Sequence, residues 1–268
     1  MTSDKILEQL EYLPDYLGHH LALTLSALAL SVVICLPLAI LVTRIRFLQW
    51  PTLAFASVTQ TIPGIALLAV MVILLGKIGF VPALIALFLY SMLPILRNTV
   101  TGITGVEPSL VEAAYGVGMT PNQVLRKVEL PLALPVIIAG IRTSAVWVVG
   151  TATLSTPVGA TSLGNYIFSG LQTQNSSAVL VGCLSAVFLA ITIDQLIHLV
   201  QIASLRRKFL PALVAGIGFV VLVAGAIYPM VAKSSSQSVR GHIVIGAKPF
   251  TEQYILSQLI ADVLNDAG

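Results

Sequence analysis

A group of charged residues lies in residues 111–135, between two strongly apolar runs. The group holds two carboxylates and two cations: Glu112, Arg126, Lys127 and Glu129. Charges at this spacing can contact a soluble partner through ion pairs and hydrogen bonds. They can equally hold an amphipathic loop at a lipid surface, so the residue types alone leave both interpretations open.

Two more charges, Arg142 and Asp194, lie inside apolar runs, where ionisable side chains are costly and commonly functional. Asp194 lies nine residues before Ala203, the end of one run, and Arg142 lies ten residues after Leu132, the start of another. If those two ends face the same side, the two charges reach a similar depth, and we favour mutual neutralisation as their role. The alternative is an ion-coupled secondary transporter or channel that uses Arg142 and Asp194 for coupling.

Polar side chains interrupt the apolar runs at several other positions that could line a path across a membrane. The candidates are Gln60, Thr61, Tyr90, Ser144, Trp147 and Thr151. Ser144, Trp147 and Thr151 are spaced i, i+3 and i+7, which places them on one face of a helix. Hydroxyl groups at such positions also mediate helix packing, so lining and packing are both kept as interpretations.

The sequence lacks the residue patterns of catalysis. The pattern GxxxxGK[ST] does not occur, so the chain cannot bind ATP phosphates in the P-loop manner. The four histidines and two cysteines form neither a metal-ligand cluster nor a nucleophile–base pair. We therefore expect no enzyme activity, no metal site and no cofactor in this chain.

The composition is that of a protein immersed in lipid. Of the 268 residues, 57% are hydrophobic and 9% are charged, whereas a soluble domain carries about 25% charged residues. A chain this poor in charge predicts an all-α polytopic membrane protein. Its net charge of +3 is small, and it does not indicate binding to nucleic acid.

Six apolar runs reach roughly the 20 residues that a helix needs to cross a bilayer. They cover residues 20–42, 53–75, 80–96, 132–154, 178–203 and 211–231. Pro37 and Pro63 predict kinks or breaks in the first two runs. The preceding residues, 1–19, have apolar positions at helical spacing and predict an amphipathic helix at the membrane surface.

Basic residues indicate the orientation, because Lys and Arg concentrate in cytoplasmic loops. They follow the first, third and fifth runs, at Arg44, Arg46, Arg97, Arg126, Lys127, Arg206, Arg207 and Lys208. Among the alternate short segments, the N-terminal tail and the loop after the second run hold one basic residue each, and the loop after the fourth run holds none. We therefore expect residues 107–131 to lie in the cytoplasm and both termini to lie outside.

The charged segment predicts two short helices joined by a tight turn. Ser109 and Glu112 have the spacing of a capping box, which predicts the start of the first helix. Gly118 follows its end, since glycine adopts the left-handed conformation of many helix termini. Thr120 and Pro121 predict the N-cap and the first residue of the second helix.

Within this segment an ordered set of residues occurs at fixed spacing: Glu112-Ala113-Ala114, then Gly118, then Val128, Leu130 and Pro131. The set resembles the EAA loop of bacterial ABC-importer permeases, with Val128 where that family has isoleucine. The resemblance implies a coupling helix seated in a groove of a separate ATPase subunit, which would use ATP and Mg²⁺. The coupling residues that it implies are Glu112, Ala113, Ala114, Gly118, Leu130 and Pro131.

Three further stretches carry the resemblance: LPILRNT at 93–99, GIRT at 140–143 and GTATL at 150–154. They are similar to the ABC permeases that import the osmoprotectants glycine betaine, choline and carnitine. Over residues 20–232 this implies the six-helix fold of type I, MetI-like importer permeases. It also implies a small quaternary amine as substrate, a class that we extend to the related betaine ergothioneine. Cation–π attraction would then suit Trp147 and Tyr90.

The sequence changes character after the last apolar run. Residues 233–241 have the polar composition of a flexible linker. Residues 242–246 then predict a strand and residues 250–264 an amphipathic helix, which is the opening of an α/β domain. Residues 243–253 resemble the start of the substrate-binding proteins that serve these importers. We therefore expect residues 242–268 to be the first strand and helix of a truncated receptor domain, with Gln253 at a ligand-contacting position.

The resemblance implies the partners of a multi-pass protein of the bacterial cytoplasmic (inner) membrane. The EAA loop implies ABC ATPase subunits. Two such subunits need two loops, so one loop per chain implies a homodimer of this chain. A substrate-binding domain, in cis or in trans, would deliver the substrate from outside, and the lipid bilayer surrounds the spans.

Overall fold

The chain is built from α-helices, as the sequence predicts. The computed structural model describes residues 9–10, 12–206, 209–236, 258–260 and 262–263. In chain order the helices are α1 (Leu13–Arg44), α2 (Arg46–Thr61), α3 (Gly64–Leu75), α4 (Phe80–Thr104), α5 (Pro108–Gly116), α6 (Pro121–Val124), α7 (Leu130–Ala152), α8 (Gly164–Gln172), α9 (Ser176–Arg206) and α10 (Phe209–Ser236). A π-helix, Leu125–Glu129, joins α6 to α7, and a 3-10 helix, Thr153–Val158, follows α7.

Four helical segments in the described part of the chain are long and apolar enough to cross a membrane: Leu13–Arg44, Phe80–Thr104, Pro121–Val158 and Ser176–Leu205. The pair α2 and α3 passes the same test together but bends by 105° at its break, which raises the number of spans to as many as five. These segments fall on the first five predicted runs. The sixth run falls within α10, whose apolar stretch Leu210–Gly225 is shorter.

Several boundaries differ from the prediction. Residues 13–19 were expected in a separate surface helix, but they form the first turns of α1. The α4 helix continues from the predicted end at residue 96 to Thr104, because Arg97 and Asn98 end the apolar run without ending the helix. The α10 helix continues to Ser236, inside the predicted linker. The predicted strand at 242–246 and Gln253 lie outside the described residues.

The two prolines that predict breaks act differently. The α1 helix is continuous through Pro37. Pro63 separates α2 from α3, and Ile62 before it is extended, with φ −73° and ψ 128°. A proline disfavours the helical conformation in the preceding residue, which accounts for the end of α2 at Thr61. The predicted break is therefore found at Pro63 and not at Pro37.

Helices α1, α4 and α7 pack against one another and place most of the buried apolar side chains between them. The α4 and α7 backbones approach each other closely at Gly140. A Cβ atom at Gly140 would lie 2.6 Å from the Cβ of Asn98 and 2.7 Å from the carbonyl oxygen of Pro94. Small residues of this kind let helix backbones approach in lipid, where apolar burial alone gives little preference for association.

Candidate functional site

The segment between α4 and α7 begins with the short helix α5. This helix starts at Pro108, with Glu107 at the N-cap, and no side chain caps it. The Ser109 hydroxyl donates to a carboxylate oxygen of Glu107 (2.8 Å). The predicted capping box of Ser109 and Glu112 is therefore wrong. Proline favours the first helical position, so the N-cap is Glu107, two residues before the predicted Ser109.

Gly118 turns the chain after α5. Its φ is +83°, in the left-handed region that favours glycine. The amide of Gly118 donates to the carbonyl of Tyr115 (2.9 Å), and the amide of Met119 donates to the carbonyl of Ala114 (3.1 Å), which closes the helix end. A Cβ atom at Gly118 would meet nothing within 4 Å. Backbone conformation, and not lack of space, therefore requires glycine here.

The second short helix, α6, starts as predicted with Thr120 as N-cap and Pro121 as its first residue. The amide of Thr120 donates to Gln123 Oε1 (2.8 Å), which fixes the entry to the helix. Val124 is fully buried and anchors α6 to the bundle. The π-helix follows directly and leads into Pro131 in the first turn of α7. Single π-helical turns inside longer helices are frequent at functional sites.

The predicted coupling residues divide between exposed and buried positions. Three are exposed on or just after α5: Glu112, Ala113 and Gly118. Pro131 is exposed at the start of α7, Leu130 is half-buried and Ala114 is buried. Three apolar side chains are also exposed on α5 and its C-cap: Leu110, Tyr115 and Val117. An apolar surface beside a carboxylate, on a short helix outside the spans, is suited to contact with another protein.

Glu129, in the π-helix, forms an ion pair with Arg44, the last residue of α1. One guanidinium nitrogen contacts Glu129 Oε2, and Arg44 Nη1 donates to Glu129 Oε1 (3.4 Å). Because Arg44 and Glu129 are 85 residues apart, the sequence did not predict their contact. The pair brings the segments after the first and third runs to the same end of the bundle, in agreement with the distribution of basic residues.

Two of the path candidates, Gln60 and Tyr90, hold the break between α2 and α3. Gln60 Nε2 donates to the main-chain carbonyl of Tyr90 (2.9 Å). This carbonyl has no helical donor four residues later, because Pro94 carries no amide hydrogen. The Tyr90 hydroxyl donates to the carbonyl of Ile62, the residue before Pro63. Both side chains are therefore engaged with main-chain groups of a neighbouring helix.

The candidates on α7 do not share one environment. Ser144 is buried, and its hydroxyl donates to the carbonyl of Ser91 in α4 (2.7 Å). Trp147, by contrast, is 49% exposed. Thr151 donates to the carbonyl of Trp147 in its own helix (2.7 Å), and Thr61 likewise donates within α2 (2.7 Å). Ser144 thus packs α7 onto α4, whereas Trp147 presents an open aromatic surface.

Arg142 and Asp194 lie together between α7 and α9. Arg142 Nη2 donates to Asp194 Oδ2 (2.7 Å), and Nε donates to the other carboxylate oxygen. The third nitrogen, Nη1, donates to His198 Nδ1 (3.1 Å). His198 was missed by the sequence analysis, although its spacing of i+4 from Asp194 places both on one helical face. With both carboxylate oxygens paired, this arrangement is one of mutual neutralisation.

A groove of about 380 Å³ runs beside this ion pair between α7 and α9. It is lined by Ala139, Arg142, Thr143, Val146, Trp147, Asp194 and Gln201. Trp147 is therefore the path candidate whose aromatic surface shares an open groove with polar side chains. Gln201 lies at one side of the groove and donates from Nε2 to the carbonyl of Pro135 (3.0 Å), which links α9 to α7.

Similarity to known proteins extends over most of the chain. Residues 35–241 match the family described as binding-protein-dependent transport system inner membrane component. The choline transport system permease protein OpuBB of Bacillus subtilis is 44% identical over 193 residues, 72% of this chain and 86% of that protein. The glycine betaine/carnitine/choline transport system permease protein OpuCB of the same organism is 43% identical over 184 residues, 69% of this chain and 84% of that protein.

Among solved structures, an inward-facing form of the MetNI methionine ABC transporter matches with a TM-score of 0.66 and 26% sequence identity. The match covers 73% of this chain and 97% of the chain in that structure. These relatives are permease subunits of ABC transporters, which supports the importer over the ion-coupled alternative. The chain belongs to the family of binding-protein-dependent transport system inner membrane components, and it is a permease subunit of an ABC importer.

Proposed function

We propose that this permease carries small quaternary amines: choline, glycine betaine, carnitine and the related betaine ergothioneine. The observation that carries the substrate class is the similarity, at 44% and 43% identity, to permeases named for choline and for glycine betaine, carnitine and choline. Three of the four compounds are named in those relatives. Ergothioneine is added because it has the same trimethylammonium group beside a carboxylate.

The substrate passes through the groove between α7 and α9 on its way across the bilayer. Trp147 exposes an aromatic face there, and a trimethylammonium cation is attracted to such a face. Asp194 does not compete for the cation, because Arg142 occupies both of its oxygens. The substrate is therefore held weakly at this position, as a transport path requires, and the tight site lies in the receptor.

The α5 helix is the docking element for the ATPase subunit. Its exposed Glu112 and the apolar side chains beside it form a surface outside the spans. Gly118 holds the turn that sets the angle of α5. Leu130 and Pro131 begin α7, so movement of the docking element passes along the chain into a spanning helix.

The complete importer contains two copies of this chain related by two-fold symmetry, each presenting one α5 to one ATPase subunit. Each chain crosses the membrane six times. The 28 residues of α10 support the sixth span, because a helix of that length reaches about 42 Å, more than the roughly 30 Å of a bilayer core. Six crossings keep both termini outside, where residues 242–268 begin the receptor domain and Gln253 contacts the ligand.

Transport in liposomes tests this proposal. The chain is reconstituted with its ATPase subunit and complete receptor, and uptake of labelled choline, glycine betaine, carnitine and ergothioneine is measured with ATP or with an ion gradient alone. We expect ATP-dependent uptake of these compounds and none without the ATPase subunit. Uptake driven by the gradient alone would overturn the importer assignment. ATP hydrolysis stimulated by the receptor without uptake of any of the four would overturn the substrate class only.

A further inference from the structure

The ion pair between Arg44 and Glu129 joins the docking segment to a helix that is distant in sequence. Glu129 is 6% exposed and lies one residue before α7. A buried carboxylate is strongly destabilising without a partner, so the position of the π-helix depends on Arg44. The guanidinium contacts both carboxylate oxygens, which fixes direction as well as distance.

Arg44 lies at the junction of two helices. Only Ile45 separates the end of α1 from the start of α2, and its ψ of 83° is not helical. The α2 helix then leads to the 105° break at Pro63. A displacement of Arg44 therefore acts on α1, on α2 and, through α2, on the bent span.

The helices of the docking segment pack against one another and lead to this junction. The α5 helix packs against α6 and against the π-helix, and the π-helix continues without interruption into α7. A shift of α5 is therefore carried to Glu129 by direct packing. From Glu129 two routes are open, one along the chain into α7 and one across the ion pair into α1 and α2.

We propose that Arg44 and Glu129 form a transmission contact, through which movement of the docking segment displaces the junction of α1 and α2. Both are positioning residues: neither touches substrate or nucleotide. The proposal rests on the docking role proposed above for α5. It adds a second route into the membrane beside the covalent connection to α7, and it makes the bent span responsive to the ATPase subunit.

A purely stabilising role of the ion pair predicts a different outcome from a transmitting role when the pair is broken. If Arg44 only neutralises Glu129, breaking the pair lowers the stability of the chain, but complexes that assemble still transport the same amount of substrate per ATP. If the pair transmits movement, assembled complexes hydrolyse ATP with less transport. The substrate transported per ATP therefore separates the two roles.

The experiment compares Arg44→Glu, Glu129→Arg and the double exchange in the purified complex with its ATPase subunit. Arg46→Glu is the matched control, since Arg46 lies two residues away and is exposed at the start of α2. For each assembled complex, uptake of choline and hydrolysis of ATP are measured together. We expect each single reversal to lower uptake per ATP by about fivefold, the lower end of typical coupling between sites. The double exchange should restore it, and the control should match the unmodified chain.

A second readout needs no substrate. Cys183 in α9 is exposed and Cys35 is buried, so spin labels can be placed on Cys183 and on Phe47→Cys in α2, a position that is 86% exposed. In the labelled chain that keeps both Arg44 and Glu129, ATP with vanadate should change the distance between the two labels. The single reversals should abolish that change, and the double exchange should recover it. If a charge reversal prevents assembly, Arg44→Gln and Glu129→Gln replace it in both measurements.

The outcomes separate this proposal from the docking role. An unmodified chain that fails to bind the ATPase subunit overturns both. An unmodified chain that binds it but shows no nucleotide-dependent distance change overturns the transmission contact and leaves the docking role standing. Single variants that keep the distance change and the uptake per ATP overturn the transmission contact alone. A double exchange that assembles but stays uncoupled also overturns it, because the restored charges would then not restore function.

Discussion

The side-chain amide of Gln60 donates to the main-chain carbonyl of Tyr90 at 2.9 Å, the acceptor that Pro94 leaves without a helical donor. Inside a bilayer such a carbonyl has no water to bond, and an unpaired one costs several kcal/mol. A polar residue that the sequence offered as part of a transport path thus supports a proline in a neighbouring helix. The hydrogen bond to Tyr90 fixes the conformation of the Gln60 side chain.

Replacing Gln60 with leucine removes this donor while keeping a side chain of similar size. We expect the free energy of unfolding to fall by about 1–3 kcal/mol, the usual cost of an unpaired buried group. Thermal unfolding of the purified chain in detergent measures the effect. Thr61→Val is the control, because the hydroxyl of Thr61 bonds only within its own helix. Equal stability of the two variants would contradict the bracing role of Gln60.

Gly118→Ala should weaken coupling, whereas Gly116→Ala should not. A Cβ atom has open space at both positions, but only Gly118 has a positive φ. An alanine at position 118 would be strained in this conformation by about 1–2 kcal/mol. We expect the variant to relieve that strain by turning α5 out of position. For each variant, substrate uptake and ATP hydrolysis are measured in liposomes, and the ratio of uptake to hydrolysis reports the coupling. Normal coupling in the Gly118 variant would show that its turn does not set the docking geometry.

Gly140→Ala should separate α7 from α4. The new Cβ atom would lie 2.6 Å from the Cβ of Asn98, so the helices must move apart, at a cost of about 1–3 kcal/mol for overpacking. Gly150→Ala on the same helix meets no atom within 4 Å and serves as the control. Melting temperatures of the two variants test the difference, and a Gly140 variant as stable as the control would refute the close approach.

Asp194→Asn should destabilise the chain by leaving Arg142 without its carboxylate. Breaking a fully buried pair costs about 3–5 kcal/mol, and we expect less here because both side chains are partly exposed. Replacing both residues with apolar ones, as in Arg142→Met with Asp194→Leu, should recover most of the loss. Thermal unfolding and uptake are measured on each variant. A double variant that is stable but cannot transport would indicate that the charges themselves act in transport.

Features encoded by local spacing could be predicted from the sequence. The apolar runs located the helices, Pro63 located the break, and Gly118, Thr120 and Pro121 located the turn between the short helices. The capping box at Ser109 failed because two local signals competed there, and the proline at 108 decided the start of α5. A single local signal can also fail, since Pro37 predicted a kink or break and α1 is continuous through it.

Features that depend on contacts between distant segments could not be predicted in the same way. Arg44 and Glu129 are both visible as charges, but nothing in their spacing of 85 residues pairs them. The spacing of Tyr90 and Pro94 shows that the carbonyl of Tyr90 lacks a helical donor. That Gln60 supplies the donor depends on how α2 packs against α4, which local spacing does not encode. Arg142 and Asp194 could be paired only because depth in a membrane is itself encoded by distance from the end of a run.

The bonds that hold the bend between α2 and α3 also bear on the order in which the helices can pack. Both of its braces need Tyr90, which the ribosome adds 28 residues after Ile62. A nascent chain that ends in α3 holds two short apolar helices with no side chain to fix the angle between them. These two bonds can form only once α4 has been synthesised and has packed beside α2 and α3. The angle between α2 and α3 therefore depends on α4 as well as on Pro63.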